Sequence, residues 1–176
     1  KLNLNASHQL KSIFDNTLKM KNYSYNSEGE ISNSNIIFNN SIKSQFLKNE
    51  INSIKFDNSK FFLDLNSDDK NSFLLKGNYK LNENNSDKYQ IENNFSKSEK
   101  KLKTSFEFTE LITIPFLNYS KDNSKKAKKN NNIIIKKNII NINDLEFVEN
   151  KNSILINDLK IGQNNTINSL GFVKVK

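Results

Sequence analysis

The 176-residue sequence has no cysteine, no tryptophan and no arginine, and only one histidine, one proline, two alanines and four glycines. Without cysteine there is no disulfide framework, no zinc ribbon and no thiol nucleophile. The lone His8 excludes a multi-histidine metal centre and any two-histidine mechanism. The scattered glycines form neither G-x-G-x-x-G nor G-K-[ST], so no phosphate-cradling loop exists. No apolar run approaches the ~20 residues of a membrane-spanning helix, and no signal-peptide pattern opens the chain. The first residues, KLNLN, already alternate like a strand and do not begin with Met, so the chain is expected to be a piece cut from a longer one. Scarce alanine also removes the best helix former.

What is present is 34 Asn, 20 Ile, 13 Phe, 5 Tyr and 27 Lys against 19 acids, a net charge of +8. The apolar fraction of 35% lies below the usual ~45–50%, and low hydrophobicity with net charge points towards disorder. The β-branched and aromatic residues point the other way, towards strands. Lys, Asn, Ile and Phe share AT-rich codons, so the Asn abundance and the missing Arg are read as genome composition. Chance in so Asn-rich a chain explains most of the Asn-x-Ser/Thr sequons at Asn5, Asn22, Asn39, Asn84, Asn94, Asn118 and Asn164.

Two periodicities organise the chain. In residues 6–20, Leu10, Ile13, Phe14, Thr17 and Leu18 share one face of a helix, with Ser7 as its N-cap, which predicts one short amphipathic helix covering an end or edge of a sheet. From about residue 28 the period is two. Phe73, Leu75, Tyr79 and Leu81 share a face, as do Tyr89, Ile91 and Phe95. The longest run, 102–116, places Phe106, Phe108, Glu110, Ile112, Ile114 and Phe116 together. Further strands are expected at 31–38, 42–48, 53–65, 132–142, 153–161 and 166–175. Turn-forming clusters at 66–71, 82–87, 148–153 and 162–166 join them. Short links between successive strands imply an antiparallel meander, with one apolar and one wet face. The reading is a single, mostly β segment of a larger protein, interrupted by a solvated Lys/Asn-rich loop at 118–132.

No constellation for chemistry emerges. Glu107 and Glu110 lie on opposite faces of one strand and cannot converge. Glu110 interrupts an apolar face and is placed near a sheet edge or mouth. His8 reads as a surface residue, and no Ca²⁺ loop follows Asp64. No catalytic, metal or cofactor-binding residue is expected, and the chain is not read as an enzyme. Residues 121–137 carry seven Lys and one Asp, a local +6, leaving the remainder nearly neutral. With no aromatic and no arginine in that segment, nucleic acid is not the expected partner. Lys121, Lys125, Lys126, Lys128, Lys129, Lys136 and Lys137 are candidates for contact with an anionic surface such as phospholipid head groups.

The apolar stripes must be buried by a second sheet, by closure into a barrel, or by a ligand lying in an open trough. Periodicity alone favours the sandwich or barrel. The strings FTELITIPFLNYS, FLLKGNYKLN and the hairpin INDLEFVENKNSILINDLKIGQNNTINSLGFVKV resemble the AsmA-like, bridge-like lipid-transfer proteins of Gram-negative bacteria, particularly long versions from AT-rich alphaproteobacteria. The hairpin carries most of the likeness, through Asn143, Leu145 and Phe147, then Ile154, Ile156, Asp158, Leu159, Lys160, Ile161, Ile167 and Leu170, and the resemblance spans about residues 53–176. The Lys-rich segment 121–137 departs from it. The resemblance implies an elongated, curled antiparallel sheet in the periplasm, anchored to the inner membrane by a segment outside this chain. It implies phospholipid transport between membranes or outer-membrane maintenance, with no catalytic residues. Phospholipid acyl chains would then meet a groove lined by Phe73, Leu75, Tyr79, Leu81, Tyr89, Ile91, Phe106, Phe108, Ile112 and Ile114. Two alternatives stand beside this: a closed β-sandwich or barrel with a structural or adhesive role, and a basic nucleic-acid-binding module.

Overall fold

A computed structural model describes residues 2–44, 46–115, 118–137 and 139–176. Among these residues thirteen strands follow one another, from β1 (Leu2–Phe14), β2 (Met20–Ile42), β3 (Ile51–Asn66) and β4 (Asn71–Leu81) to β5 (Asp87–Phe95) and β6 (Glu99–Phe108). Then come β7 (Ile112–Ile114), β8 (Tyr119–Lys121), β9 (Ala127–Lys136), β10 (Ile139–Glu149), β11 (Asn152–Ile161), β12 (Ile167–Ser169) and β13 (Phe172–Val175). Eleven of them form one sheet in the order β1-β2-β3-β4-β5-β6-β9-β10-β11-β12, with β13 also pairing β11, while β7 and β8 make a two-stranded sheet. Every pairing in the main sheet is antiparallel. The sheet is open: β1 borders one side and β12 with β13 the other, and they do not pair. The closed barrel is thereby excluded.

Asparagine and aspartate make this meander possible. Among the described residues eleven non-glycine residues adopt positive φ, including Asn58, Asp69, Asn82, Asn118, Asn150, Asp158, Asn164 and Asn165, while no glycine does. Side-chain amides and carboxylates then hold the turns. Asn82 Oδ1 accepts from the backbone N–H of Asn52 and Ser53, and Asp69 accepts from Lys97 N, tying neighbouring hairpin ends together.

The predicted N-terminal helix is absent. Residues 6–14 belong to β1, which pairs with β2 over its whole length, and Ser7 stands opposite Glu28 in mid-strand rather than capping a helix. The break comes at Asp15, whose Oδ1 accepts from Thr17 N, Thr17 Oγ1 and Lys19 N, with Leu18 at φ 60°. Ser, His, Asn and Thr give this segment little intrinsic helicity, and the alternation that begins at Leu2 continues through Leu4, Ala6 and Leu10. Long-range pairing prevails over an incidental 3.6-residue period.

Further boundaries move: β2 ends at Ile42, so among the described residues the strand expected at 42–48 does not form, and 166–175 divides into β12 and β13. The run 102–116 is not one strand, because β6 ends at Phe108 and β7 starts at Ile112; Phe116 lies outside the described residues. The loop expected at 118–132 contains β8 and the start of β9, so only 122–126 separates two strands there. The strand expected at 132–142 is the end of β9 and the start of β10.

Candidate functional site

Residues paired across an antiparallel ladder point to the same face, so the registers define the apolar face row by row. One row runs Phe61, Leu75, Ile91, Thr104, Asn131, Leu145, Ile156 and Val173. The next runs Leu63, Phe73, Asn93, Leu102, Ile133, Ile142 and Leu159. On the opposite face the corresponding positions are Lys60, Lys76, Gln90, Ser105, Asn130 and Glu146. Most of the apolar rows are half-buried, since among the described residues the β7–β8 pair is the only other sheet.

Continuity of the rows past β3 depends on a bulge. Asp57 pairs Asn78 and Lys60 pairs Lys76, so Asn58 and Ser59 together oppose Gly77. A Cβ on Gly77 would lie 2.4 Å from Ser59 Oγ and 2.6 Å from Ser59 Cα, so only glycine admits the fully buried Ser59. Without this extra residue, Phe61 and Leu63 would turn to the polar face.

One end of the apolar face is covered. The β7–β8 hairpin and residues 46–47 form a small cap, joined by the Leu47–Ile112 bridge and by Thr113 N donating to Phe46 O at 2.9 Å. Leu47 packs with Ile51, Ile54, Phe56 and Phe106 around buried Tyr79, Leu81 and Tyr89. Rings interlock there: Phe56 meets Tyr89 edge-on at 5.4 Å, Tyr89 stacks on Phe106 at 6.2 Å, and Tyr79 meets Phe108 at 6.4 Å. Tyr119 of the cap meets Phe147 edge-on at 6.0 Å.

Three buried charges fasten the cap. Asp87 accepts from Thr109 N at 2.7 Å and Thr109 Oγ1 at 2.6 Å. Lys121, 1% exposed, donates to the carbonyls of Thr109, Glu110 and Asp122 at 2.8–2.9 Å. Glu149, 2% exposed, accepts from Tyr119 at 2.7 Å and Asn152 at 3.2 Å, and pairs with Lys125 at 3.5 Å. Burial pushes the Lys121 ammonium down, opposed by the surrounding carboxylates. The Tyr119 hydrogen bond holds Glu149 low, and burial raises Tyr119 in turn. Burial, with Asp87, Glu110 and Glu107 nearby, raises the Tyr79 hydroxyl, which donates to Glu107 O at 2.6 Å.

The expected lining residues divide accordingly. Phe73, Leu75 and Ile91 lie in the half-buried rows, and Phe106 and Phe108 lie beside the cap. Tyr79, Leu81 and Tyr89 share that face but are buried under it. Ile112 and Ile114 are not on the main sheet at all; they belong to the cap, and Ile112 is buried. Glu110 lies between β6 and β7, accepting from Asn84 Nδ2 at 2.9 Å.

The seven lysines do not form one surface. Lys121 is enclosed and cannot reach an external anion. Lys125 pairs with Glu149, Lys126 with Glu107 and Asp87, and Lys136 with Glu99 at 2.7 Å. Lys137 occupies the β9–β10 turn at φ 49°. Lys128 stands on the polar face beside a ~380 Å³ recess that it shares with Lys60, Lys76 and Lys88. Lys129 alone points to the apolar face, between Phe106 and Phe147.

The sequence reading missed the cap and its fastening. Asp87 and Glu149 looked like turn residues, and nothing local marks them as partners of residues twenty or more positions away. Comparisons of the chain with protein families, with curated proteins and with solved structures gave no match.

Proposed function

We propose that the chain is a non-enzymatic, lipid-carrying segment of an AsmA-like envelope protein, in which the open sheet curls into a trough whose apolar face receives phospholipid acyl chains. The observation that carries this reading is the uncovered apolar face. A compact 20.4 kDa protein exposes about 8,800 Å² by the usual scaling with mass; this chain exposes 11930 Å². Contiguous apolar surface beyond a few hundred Å² marks a binding surface. A strand of ten residues spans about 33 Å, enough to lie along an acyl chain. In this reading lipid slides passively along the rows, the segment stands in the periplasm, and an anchor outside the chain holds the parent protein to the inner membrane. Transport between membranes or outer-membrane maintenance follows as its role. The distribution of the lysines lends a nucleic-acid reading no support, because the basic segment is largely paired or enclosed.

Site-specific photo-crosslinking tests the proposal. With phosphatidylethanolamine–phosphatidylglycerol vesicles, a photoreactive residue at Phe73 or Leu102 yields lipid adducts, whereas one at Lys103 on the polar face does not. Equal labelling of both faces, or none at Phe73 and Leu102, overturns it.

A further inference from the structure

The lysine on the apolar face has a use that the acyl-chain path by itself does not require. We propose that Lys129 anchors the anionic oxygen group of a lipid, carboxylate or phosphate, whose acyl chains lie along the rows below it; the inference rests on the lipid-carrying reading.

Lys129 is half-buried between Phe106 and Phe147 in adjoining strands. In its own row and the two beneath, from β3 to β13, it is the only charged side chain among the described residues. Lys125, Lys126 and Lys136 find carboxylates, but among the described residues no ion pair or side-chain hydrogen bond involves the Lys129 ammonium. The carboxylates one row above are already committed, Asp87 to Thr109 and Lys126, Glu149 to Tyr119, Asn152 and Lys125. A lysine stem packs well on aromatic rings while its ammonium seeks a polar partner. With no free carboxylate in reach on this apolar face, an anion from outside is the partner that matches its charge.

A second unpaired group stands beside it. Asn131, the next residue along that face, donates through Nδ2 to Thr104 Oγ1 at 3.1 Å, while its Oδ1 is buried with no partner. That amide oxygen takes a donor such as a head-group hydroxyl and not the anion, so the anionic oxygens fall to Lys129, at the rim of the cap where Tyr119 leans on Phe147. From there the face descends through Ile133 to Ile135, about 20 Å along β9. One leaflet's acyl chains fill about 15 Å, half the bilayer hydrocarbon core, so a chain fits with its charged end at Lys129 and its tail on Leu102, Ile133 and Phe73.

Titration calorimetry on the whole chain provides the test, with oleate against uncharged oleyl alcohol, and phosphatidylglycerol against diacylglycerol in the same mixed micelles. Wild type binds the anionic member of at least one pair about tenfold more tightly, the worth of one charge-assisted hydrogen bond; which pair discriminates identifies fatty acid or phospholipid as the source. Lys129→Met abolishes that ratio while keeping the affinity for the uncharged lipid, whereas Lys128→Met, on the polar face, preserves it. A ratio that survives in Lys129→Met, or wild type binding charged and uncharged lipids alike, overturns the anchor and leaves the lipid trough standing. Binding of none of the four overturns both.

Discussion

The Tyr89 hydroxyl donates to Ser59 Oγ at 2.8 Å, directly above the Gly77 that separates their strands. Ser59 is fully buried and Tyr89 only 4% exposed, so this bond locks the β3 bulge that keeps the apolar rows in phase from β3 to β4.

Gly77→Ala should therefore destabilise the fold by about 1–3 kcal/mol, the range for overpacking a filled site. Tyr89→Phe should cost about 1 kcal/mol, the net value of a single hydrogen bond. Urea denaturation followed by circular dichroism measures both. The order Gly77→Ala above Tyr89→Phe is the expected result; a neutral Gly77→Ala would mean that Ser59 does not occupy the space over the glycine.

The bulge also shows where sequence ceased to be informative. In the run FDNSKFFLDLN, an unbroken alternation from Phe56 puts Phe62 with it, but the extra residue puts Phe61 and Leu63 there instead. Strands β4, β5 and β6 lack such interruptions, which is why Phe73, Leu75, Tyr79, Ile91 and Phe106 fall on one face as their spacing implies. The hairpin of β10 and β11 was legible too, because its turn at Asn150 is made by the kind of residue that tolerates positive φ. Ile112 misled for the opposite reason. Its parity matches Phe108, but Asp87 and Lys121 capture the backbone at Thr109–Glu110 and end the strand there. Those two partners are distant in sequence, so no local window contains the signal. The asparagines, read first as codon bias, supply most of the left-handed turn positions in a chain with four glycines.

Removing the buried ammonium should loosen the cap. Lys121→Met leaves the carbonyls of Thr109, Glu110 and Asp122 without their common donor, a loss of about 1–3 kcal/mol for buried acceptors left unpaired. Hydrogen exchange should then accelerate over the described residues of 109–121 while β4 and β5 keep their protection. Uniform loss of protection would show that cap and sheet fold as one unit.

Acid should act through Glu149. Its carboxyl is held below its ordinary 4.5 in the folded state, chiefly by the Tyr119 hydroxyl. The unfolded state therefore binds more protons in that window. The associated stability is complete above pH 4.5 and is lost as pH falls through the folded value. A pH series of urea midpoints should show this decline, and Glu149→Gln should flatten it. An unchanged slope in the variant would assign the acid sensitivity elsewhere.

Alkali should act through the tyrosines. Tyr79 and Tyr119 both titrate above their ordinary 10.0 when folded, through burial first and neighbouring carboxylates second. Their contribution is fully present below pH 10 and declines as pH rises beyond it, because the folded state then holds the extra protons. Lys121 opposes this: its depressed value adds stability as pH climbs towards 10.5. Burial raises the Tyr89 hydroxyl as well, and the Glu107 carboxylate raises the Lys126 ammonium. Three raised hydroxyls and one raised ammonium against one lowered ammonium give a net loss, so the urea midpoint should fall above pH 10. Tyr79→Phe and Tyr119→Phe should each reduce the slope.

The β1–β2 ribbon should open before the rest of the sheet. Nearly every residue of β1 is exposed, and Leu2, Leu4, Leu10, Ile13 and Phe14 are each more than half exposed. Little burial offsets the entropy of ordering this strand, and no strand among the described residues pairs with its outer edge. Its closest local support is the Asp15 turn, so Asp15→Ala, which removes the acceptor for Thr17 and Lys19, should free the ribbon without unfolding the sheet. Amide exchange should be at least ~10-fold faster in β1 than in β4–β6, equivalent to about 1.4 kcal/mol of local stability, and Asp15→Ala should widen that gap. Equal protection of β1 and β4 would mean that the edge strand is covered in solution, by a second copy or by another partner.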